Sequence, residues 1–356
     1  MARVAILNEH LGTLGGGERA CFALASALAA AGHEVEVVTT EPGPPGPAAV
    51  AAAFGPGHDG FTIRAVPEAR GQGDGALGEL LRPYDVLVNH SAGSSLPNPC
   101  PLGVYAVMFP FQPGGPWVET YQHLLCNSLF TERHTRRRWG GAVPTRVLYP
   151  AAELLPAPGP KAREIVAVGR FAATGHHKNQ PWLVEAFARL LPRAPSGWRL
   201  VLVGRVNADR PTLEELGDLA ARCADLPVDL LLDAPEADRR AALDRAAVCW
   251  HATGALAPPH LPERQEHFGI AVVEAMSAGA VPVCFDGGGP REIVEHGWSG
   301  LLYQDQDGLA RATAALLRDE ARREAMGRRA RERAERFGRP RFDAEVQALF
   351  AGVIAS

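Results

Sequence analysis

The chain has 356 residues, enough for two domains that each bury a core of their own. Hydrophobic residues make up 46% and charged residues 21%, and a net charge of -4 argues against a polyanion-binding surface, so no nucleic-acid partner is expected. Six cysteines, no two at C-x-x-C spacing, argue against a zinc ribbon or a thioredoxin-type site and suit reduced, mostly buried thiols.

MARVAILNEH carries a four-residue apolar run, too short for a secretory signal. CFALASALAAAG (residues 21–32) is far below the ~20 residues that cross a bilayer. A cytoplasmic protein is expected, with peripheral contact at the inner face of a membrane left open. RVAILN (3–8) is an apolar strand without alternation, as for a strand covered on both faces. The glycine-rich turn GTLGGG (12–17) then leads into an Ala/Leu helix that stops at Gly32. Gly15, Gly16 and Gly17 stand where backbone N–H groups at a helix start can receive an anion, although a purely structural turn accounts for them equally well.

EVEVVTT is the next strand, and the Pro/Gly-rich EPGPPGPAAVAAAFGPGHDG reads as a mobile loop. FTIRAV, DVLVNH, LGVYAVMF and HLLCNS supply further strands. ERHTRRRWG (132–140) is a compact basic stretch, read as a solvated helix face or a peripheral site for anionic lipid. The aperiodic LYPAAELLPAPGPKAR (148–163) marks the linker between a first lobe, 1–155, and a second, 160–335. Beyond the linker the strand–helix rhythm restarts with IVAVGRF, and the chain ends in helices, the last of which (339–356) is expected to pack back on the first lobe. Two alternating halves predict parallel sheets with ligands at the strand ends of a cleft between lobes.

In GRFAATGHHKNQ (169–180), Arg170 ends a strand and Lys178 precedes a helix, two cations suited to a diphosphate leaving group. The paired His176 and His177 are adjacent and lack a nearby carboxylate or cysteine, so zinc is not expected there. EHFGIAVVE (266–274) holds two glutamates that on one ideal helix would lie about 12 Å and about 80° apart. Gly269 and Ile270 make a poor helix interior, so the helix is expected to begin around 268–270. Glu266 then lies in the preceding loop and Glu274 about a turn inside. The free first-turn N–H groups would point at the space Glu266 borders. Asp305-Gln306-Asp307 has the form of a metal-binding D-x-D, but its place before a helix predicts an N-cap at Asp307.

WHATGALAPPHLPERQEHFGIAVVEAMSAGAVPVCFDGGGPREIVEHGWSGLLY resembles the signature region of the retaining GT-B glycosyltransferases of family 4, the glycosyl transferases of group 1. GRF…GHHKNQPWLVEAFARLL, GGGERACFALASALAAAGHEVEVVTT and CNSLFTERHTRRRWG with VLYP extend the resemblance over residues 3 to about 320. The resemblance implies the GT-B fold, two Rossmann-like parallel-sheet lobes facing a central cleft. It also implies transfer of a hexosyl unit from a GDP- or UDP-sugar to an acceptor hydroxyl with retention of configuration and without a bound metal or other cofactor. By resemblance Glu266 would contact the transferred sugar and Glu274 the ribose. Arg170 and Lys178 would hold the diphosphate, and the backbone of Phe268, Gly269 and Ile270 would contact phosphate or sugar. Gly16 and its neighbours would close over the donor, and His251 would line the cleft. Many relatives carry a histidine where this chain has Met108; His90 is a candidate substitute, and Asn127 a further sugar or acceptor contact. The EHFGI form resembles GDP-mannose-using members. Two other readings stay open at this point: a non-catalytic nucleotide-sugar-binding protein, and an NAD-dependent oxidoreductase with Glu41 at the end of strand two.

Overall fold

The computed structural model describes residues 1–12, 14–55, 57–71, 73–156, 159–174 and 177–355. The chain divides into two compact units, Met1–Ala151 with Arg339–Ser356, and Ala152–Gly338. The first runs β1 (Arg3–Leu7), α1 (Gly16–Ala30), β2 (Glu34–Thr39), α2 (Pro47–Phe54), β3 (Thr62–Ala65), α3 (Asp74–Leu81), β4 (Val86–Asn89) and β5 (Leu102–Val107). It continues with β6 (His123–Cys126), α4 (Leu129–Trp139) and β7 (Thr145–Val147). The second opens with β8 (Ala162–Val168), α5 (Gln180–Leu190), β9 (Arg199–Gly204), α6 (Arg210–Cys223), β10 (Val228–Leu232), α7 (Glu236–Arg245) and β11 (Ala246–His251). There follow α8 (Ile270–Ser277), β12 (Val281–Phe285), α9 (Pro290–Ile293), β13 (Leu301–Tyr303), α10 (Gln306–Arg318) and α11 (Glu320–Ala334), before α12 (Arg339–Ala355) returns to the first unit.

Both sheets are parallel throughout, in the orders β3-β2-β1-β4-β5-β6-β7 and β10-β9-β8-β11-β12-β13. Each is doubly wound, with the order reversing after its first strand, between β1 and β4 and between β8 and β11. The central strands are apolar along their whole length because helices cover both faces: Val4, Ala5, Ile6 and Leu7 of β1 are all buried. Val4 pairs with Val35 on one side and Val86 on the other.

The core of the first unit joins Phe22, Leu24 and Leu28 of α1 to Val4, Ile6 and Val37 of the sheet. Phe342, Val346, Phe350 and Val353 recur on one face of α12 and bury in that same core. The second unit is centred on Phe187, Leu200, Leu202 and Trp250.

Two local expectations are corrected. Within the Pro/Gly-rich stretch lies α2: Pro47 sits in its first turn, where a missing N–H costs nothing, and Gly55, at φ 81°, ends it. Val50 and Phe54, four residues apart, are buried, and Phe54 lies 6.1 Å from Phe22. The cap of α10 is Asp305, whose side chain accepts from the Gly308 N–H at 2.6 Å, while Asp307 pairs with Arg189 in the first turn.

Candidate active site

Open parallel sheets bind ligands beyond the carboxyl ends of their strands, at the point where strand order reverses. In the second unit that point is flanked by Gly169 and Arg170 after β8 and by His251, the last residue of β11. Lys178 Nζ donates to Glu266 Oε2 at 2.7 Å, and His251 Nε2 donates to the same oxygen at 3.1 Å. The three side chains are 22%, 14% and 6% exposed, so this cluster is shielded well beyond an ordinary surface bridge. The other ring nitrogen, His251 Nδ1, and the hydroxyl of Thr253 are buried with no hydrogen-bond partner among the described residues.

The strand end is shaped for Lys178. A Cβ on Gly169 would stand 2.6 Å from Lys178 Cγ, so a larger residue would push the lysine off. Gln180, Asn179 and Glu215, none of them singled out from the sequence, hold this loop together with His177. Gln180 donates to the carbonyls of Gly169 and Arg170 at 3.2 and 3.0 Å, and Asn179 donates to that of Ala252 at 2.7 Å. His177 Nε2 meets Glu215 at 2.7 Å. The usable signal was the dense polar run H-K-N-Q before a helix. His176, weighed above as a zinc ligand, lies outside the described residues. Arg170 is exposed, and its guanidinium makes no hydrogen bond or ion pair among the described residues.

The two glutamates fall on either side of a loop-to-helix junction. Gly269, at φ 113°, caps α8, Glu266 lies in the preceding loop and Glu274 inside the helix. Glu266 to Phe268 are strapped down by the Gly287–Gly289 triplet, which sequence reasoning passed over although three consecutive glycines after a strand were its signal. Gly289 N donates to the Glu266 carbonyl at 2.8 Å, and a Cβ on Gly288 would lie 2.1 Å from that oxygen. Phe268 is buried against Phe337, with ring centroids 5.6 Å apart, and Ile270 opens the helix half-buried. The Glu274 carboxylate accepts from Arg239 Nη1 at 2.8 Å.

In the first unit, the N–H of Gly15 is taken by the Glu18 carboxylate at 2.6 Å, so it is not offered to an anion, and Gly16 and Gly17 form the first turn of α1. His90, Met108 and Asn127 follow β4, β5 and β6 and line one small hollow with Leu24, Leu125 and Phe342. Asn127 Nδ2 donates to the Met108 carbonyl at 3.0 Å, and a Cβ on Gly17 would lie 3.9 Å from Met108 Cε. His90 Nδ1 is buried without a hydrogen-bond partner among the described residues, and burial pushes the imidazole pKa down to about 4. Glu41 accepts the Gly12 N–H at 2.8 Å, closing the glycine turn instead of presenting its carboxylate to a ribose.

Among the described residues no group of three or more His, Cys, Asp or Glu could hold a metal ion. No helix there is long and apolar enough to cross a membrane. All six cysteines are buried and free.

Two doubly wound units, the second carrying a Lys–Glu–His cluster at its switch point, define an α/β protein of the GT-B class. Residues 157–333 match the family model "Glycosyl transferases group 1", and residues 14–172 match "Glycosyltransferase Family 4". The chain belongs to the group 1 GT-B glycosyltransferases. It is 28% identical to human GDP-Man:Man(3)GlcNAc(2)-PP-Dol alpha-1,2-mannosyltransferase over 64% of this chain and 48% of that protein. It is 29% identical to the phosphatidyl-myo-inositol mannosyltransferase of Mycolicibacterium smegmatis over 54% of this chain and 46% of that one. The chain thus spans about half the length of the curated relatives it matches. Among solved structures, Anabaena Alr3699/HepE in complex with UDP-glucose superimposes with a TM-score of 0.74 over 99% of this chain and 100% of that one. At 17% identity that likeness establishes the fold.

Proposed function

We propose that the protein transfers a hexosyl unit from a nucleotide-diphosphate sugar to an acceptor hydroxyl with retention of anomeric configuration. The observation that carries this reading is the single oxygen, Glu266 Oε2, shared by Lys178 and His251 at the β8/β11 switch point. Lys178 and Arg170 would receive the diphosphate and neutralise the charge that grows on it as it departs. When Lys178 turns to phosphate, Glu266 keeps His251 as its partner and gains the capacity to accept a sugar hydroxyl. The first-turn amides of α8, with the backbone of Phe268, Gly269 and Ile270, would take a phosphate or sugar oxygen. Glu274 would accept from the ribose, and Gly16 and Gly17 would lie against the donor from the first unit. His90, Met108 and Asn127 are proposed as sugar or acceptor contacts.

The bond from the anomeric carbon to the phosphate oxygen breaks as the acceptor oxygen attacks from the same face. The acceptor's proton passes to the departing phosphate, so no separate protein base is needed. The donor is a GDP- or UDP-hexose. GDP-mannose is tested first, because relatives of this chain are named as mannosyltransferases and one names GDP-Man. UDP-glucose is tested second, because a protein of the same fold was solved with it.

The test is to incubate the full chain with each donor and follow the anomeric proton by NMR, without and with simple sugar or lipid-headgroup acceptors. The expected result is consumption of one donor and a product whose anomeric coupling matches it. Lys178→Ala is expected to raise the donor KM and Glu266→Ala to lower kcat by about 100-fold, a loss of ~2.7 kcal/mol in the transition state. Wild-type rates in both variants would overturn the site, inverted product would overturn retention, and binding without turnover would indicate a non-catalytic nucleotide-sugar protein.

A further inference from the structure

The mechanism leaves unused a run of charged side chains behind α8. Glu274 is 3% exposed, and a carboxylate withdrawn so far from water needs a hydrogen-bonding cation beside it. That cation is Arg239 on α7, whose Nη1 donates to Glu274 Oε2 at 2.8 Å. The opposite edge of the same guanidinium is gripped by Glu236, with Nε and Nη2 donating to its two oxygens at 2.7 and 2.6 Å. Glu236 in turn accepts from Arg240 Nε at 3.0 Å, and Arg240 reaches Glu153. Glu236, Arg239 and Arg240 share one face of α7 through their i, i+3 and i+4 spacing. The guanidinium plane is therefore fixed by one carboxylate while Nη1 donates to the other.

Glu266 and Glu274 are thus held by different kinds of partner. Lys178 is a flexible point charge that can exchange Glu266 for a phosphate. Arg239 already donates to carboxylates from both edges of its fork, so its N–H groups are committed to Glu236 and Glu274. It acts on a donor by holding the Glu274 carboxylate in one orientation.

We propose that Arg239 is a positioning residue for the donor's ribose, acting through Glu274 to select a nucleotide with a free 2′,3′-diol. This rests on the reading of Glu274 as the ribose contact. An oriented carboxylate accepts from a vicinal pair of hydroxyls, and a 2′,3′-dideoxy nucleotide withholds those donors from a buried acceptor.

The test is calorimetric titration of the full chain with GDP and UDP and with their 2′,3′-dideoxy analogues. A charged hydrogen bond is worth about 1.5–3 kcal/mol, so wild type is expected to prefer the ribonucleotide by about 10- to 100-fold. Glu274→Gln should reduce that preference to under about 3-fold, Arg239→Gln to about the same, and Arg239→Lys to a value between. A merely structural Arg239 would lower the melting temperature while leaving the ratio intact. Full preference in Arg239→Gln alongside its loss in Glu274→Gln overturns this inference and leaves the ribose reading standing. No preference in wild type sinks the ribose reading and the inference with it. If Arg239→Gln fails to fold, Glu236→Gln, which frees the fork but leaves the Arg239–Glu274 pair, reads the same ratio; an unchanged ratio there also counts against the proposal.

Discussion

At the scale of single residues, both units place histidines at strand ends, and their surroundings give them different tasks. His251 has a carboxylate to donate to, whereas His90 lies in an apolar hollow with Nδ1 unpartnered. With its pKa pushed from 6.5 to about 4, folded His90 stays neutral where the unfolded chain takes up a proton. The stability it permits is complete above pH 6.5 and is lost as pH falls towards 4. The penalty reaches about 2 kcal/mol at pH 5. Urea denaturation at pH 7 and pH 5 should show this drop in wild type and a smaller one in His90→Leu. Equal drops in the two proteins would contradict it. Met108 places a thioether beside Gly17 and offers no proton.

At the scale of elements, legibility in the sequence followed how local the determining contacts are. The junction at Gly269 was readable because a glycine and a β-branched residue spoil a helix interior within four positions of Glu266. The α2 helix was not, because its prolines and glycines mark the ends of a helix and not its absence, and the burial of Val50 and Phe54 depends on distant α1. EADRR read only as part of a helix, since the partners of its arginines lie 35 and 87 residues away. The glycine triplet stood out as three glycines after a strand, but its partner, the Glu266–Phe268 backbone, lies about twenty residues earlier and was not legible. Gly288 has φ 62°, and a Cβ there meets the Glu266 carbonyl. Gly288→Ala should cost about 1–3 kcal/mol through strain and overpacking, and turnover should fall with the displacement of Glu266. Thermal melting with steady-state rates checks both, and wild-type turnover would show that the strap does not position the glutamate.

At the scale of the whole molecule, the alternating strands and helices of both halves were legible as parallel sheets, but strand order was not. Order depends on which helix crosses which face, and periodicity carries no record of that. The division into units adds a second lesson. The first is interrupted: it leaves off at Ala151 and is completed only by Arg339–Ser356. Phe350 is fully buried in that returning helix, so Phe350→Ala should cost about 3–5 kcal/mol in the first unit. An isolated fragment 152–338 is expected to show a cooperative melt, and fragment 1–151 to gain one only when the 339–356 peptide is added. Cooperative folding of 1–151 alone would refute this.

That interruption has a consequence for synthesis. A ribosome delivers the first sheet early, yet the apolar flank of α1 waits while the whole second unit is translated. At roughly 5–20 residues per second that interval lasts on the order of ten seconds or more, during which Phe22, Leu24 and Leu28 lack their final cover.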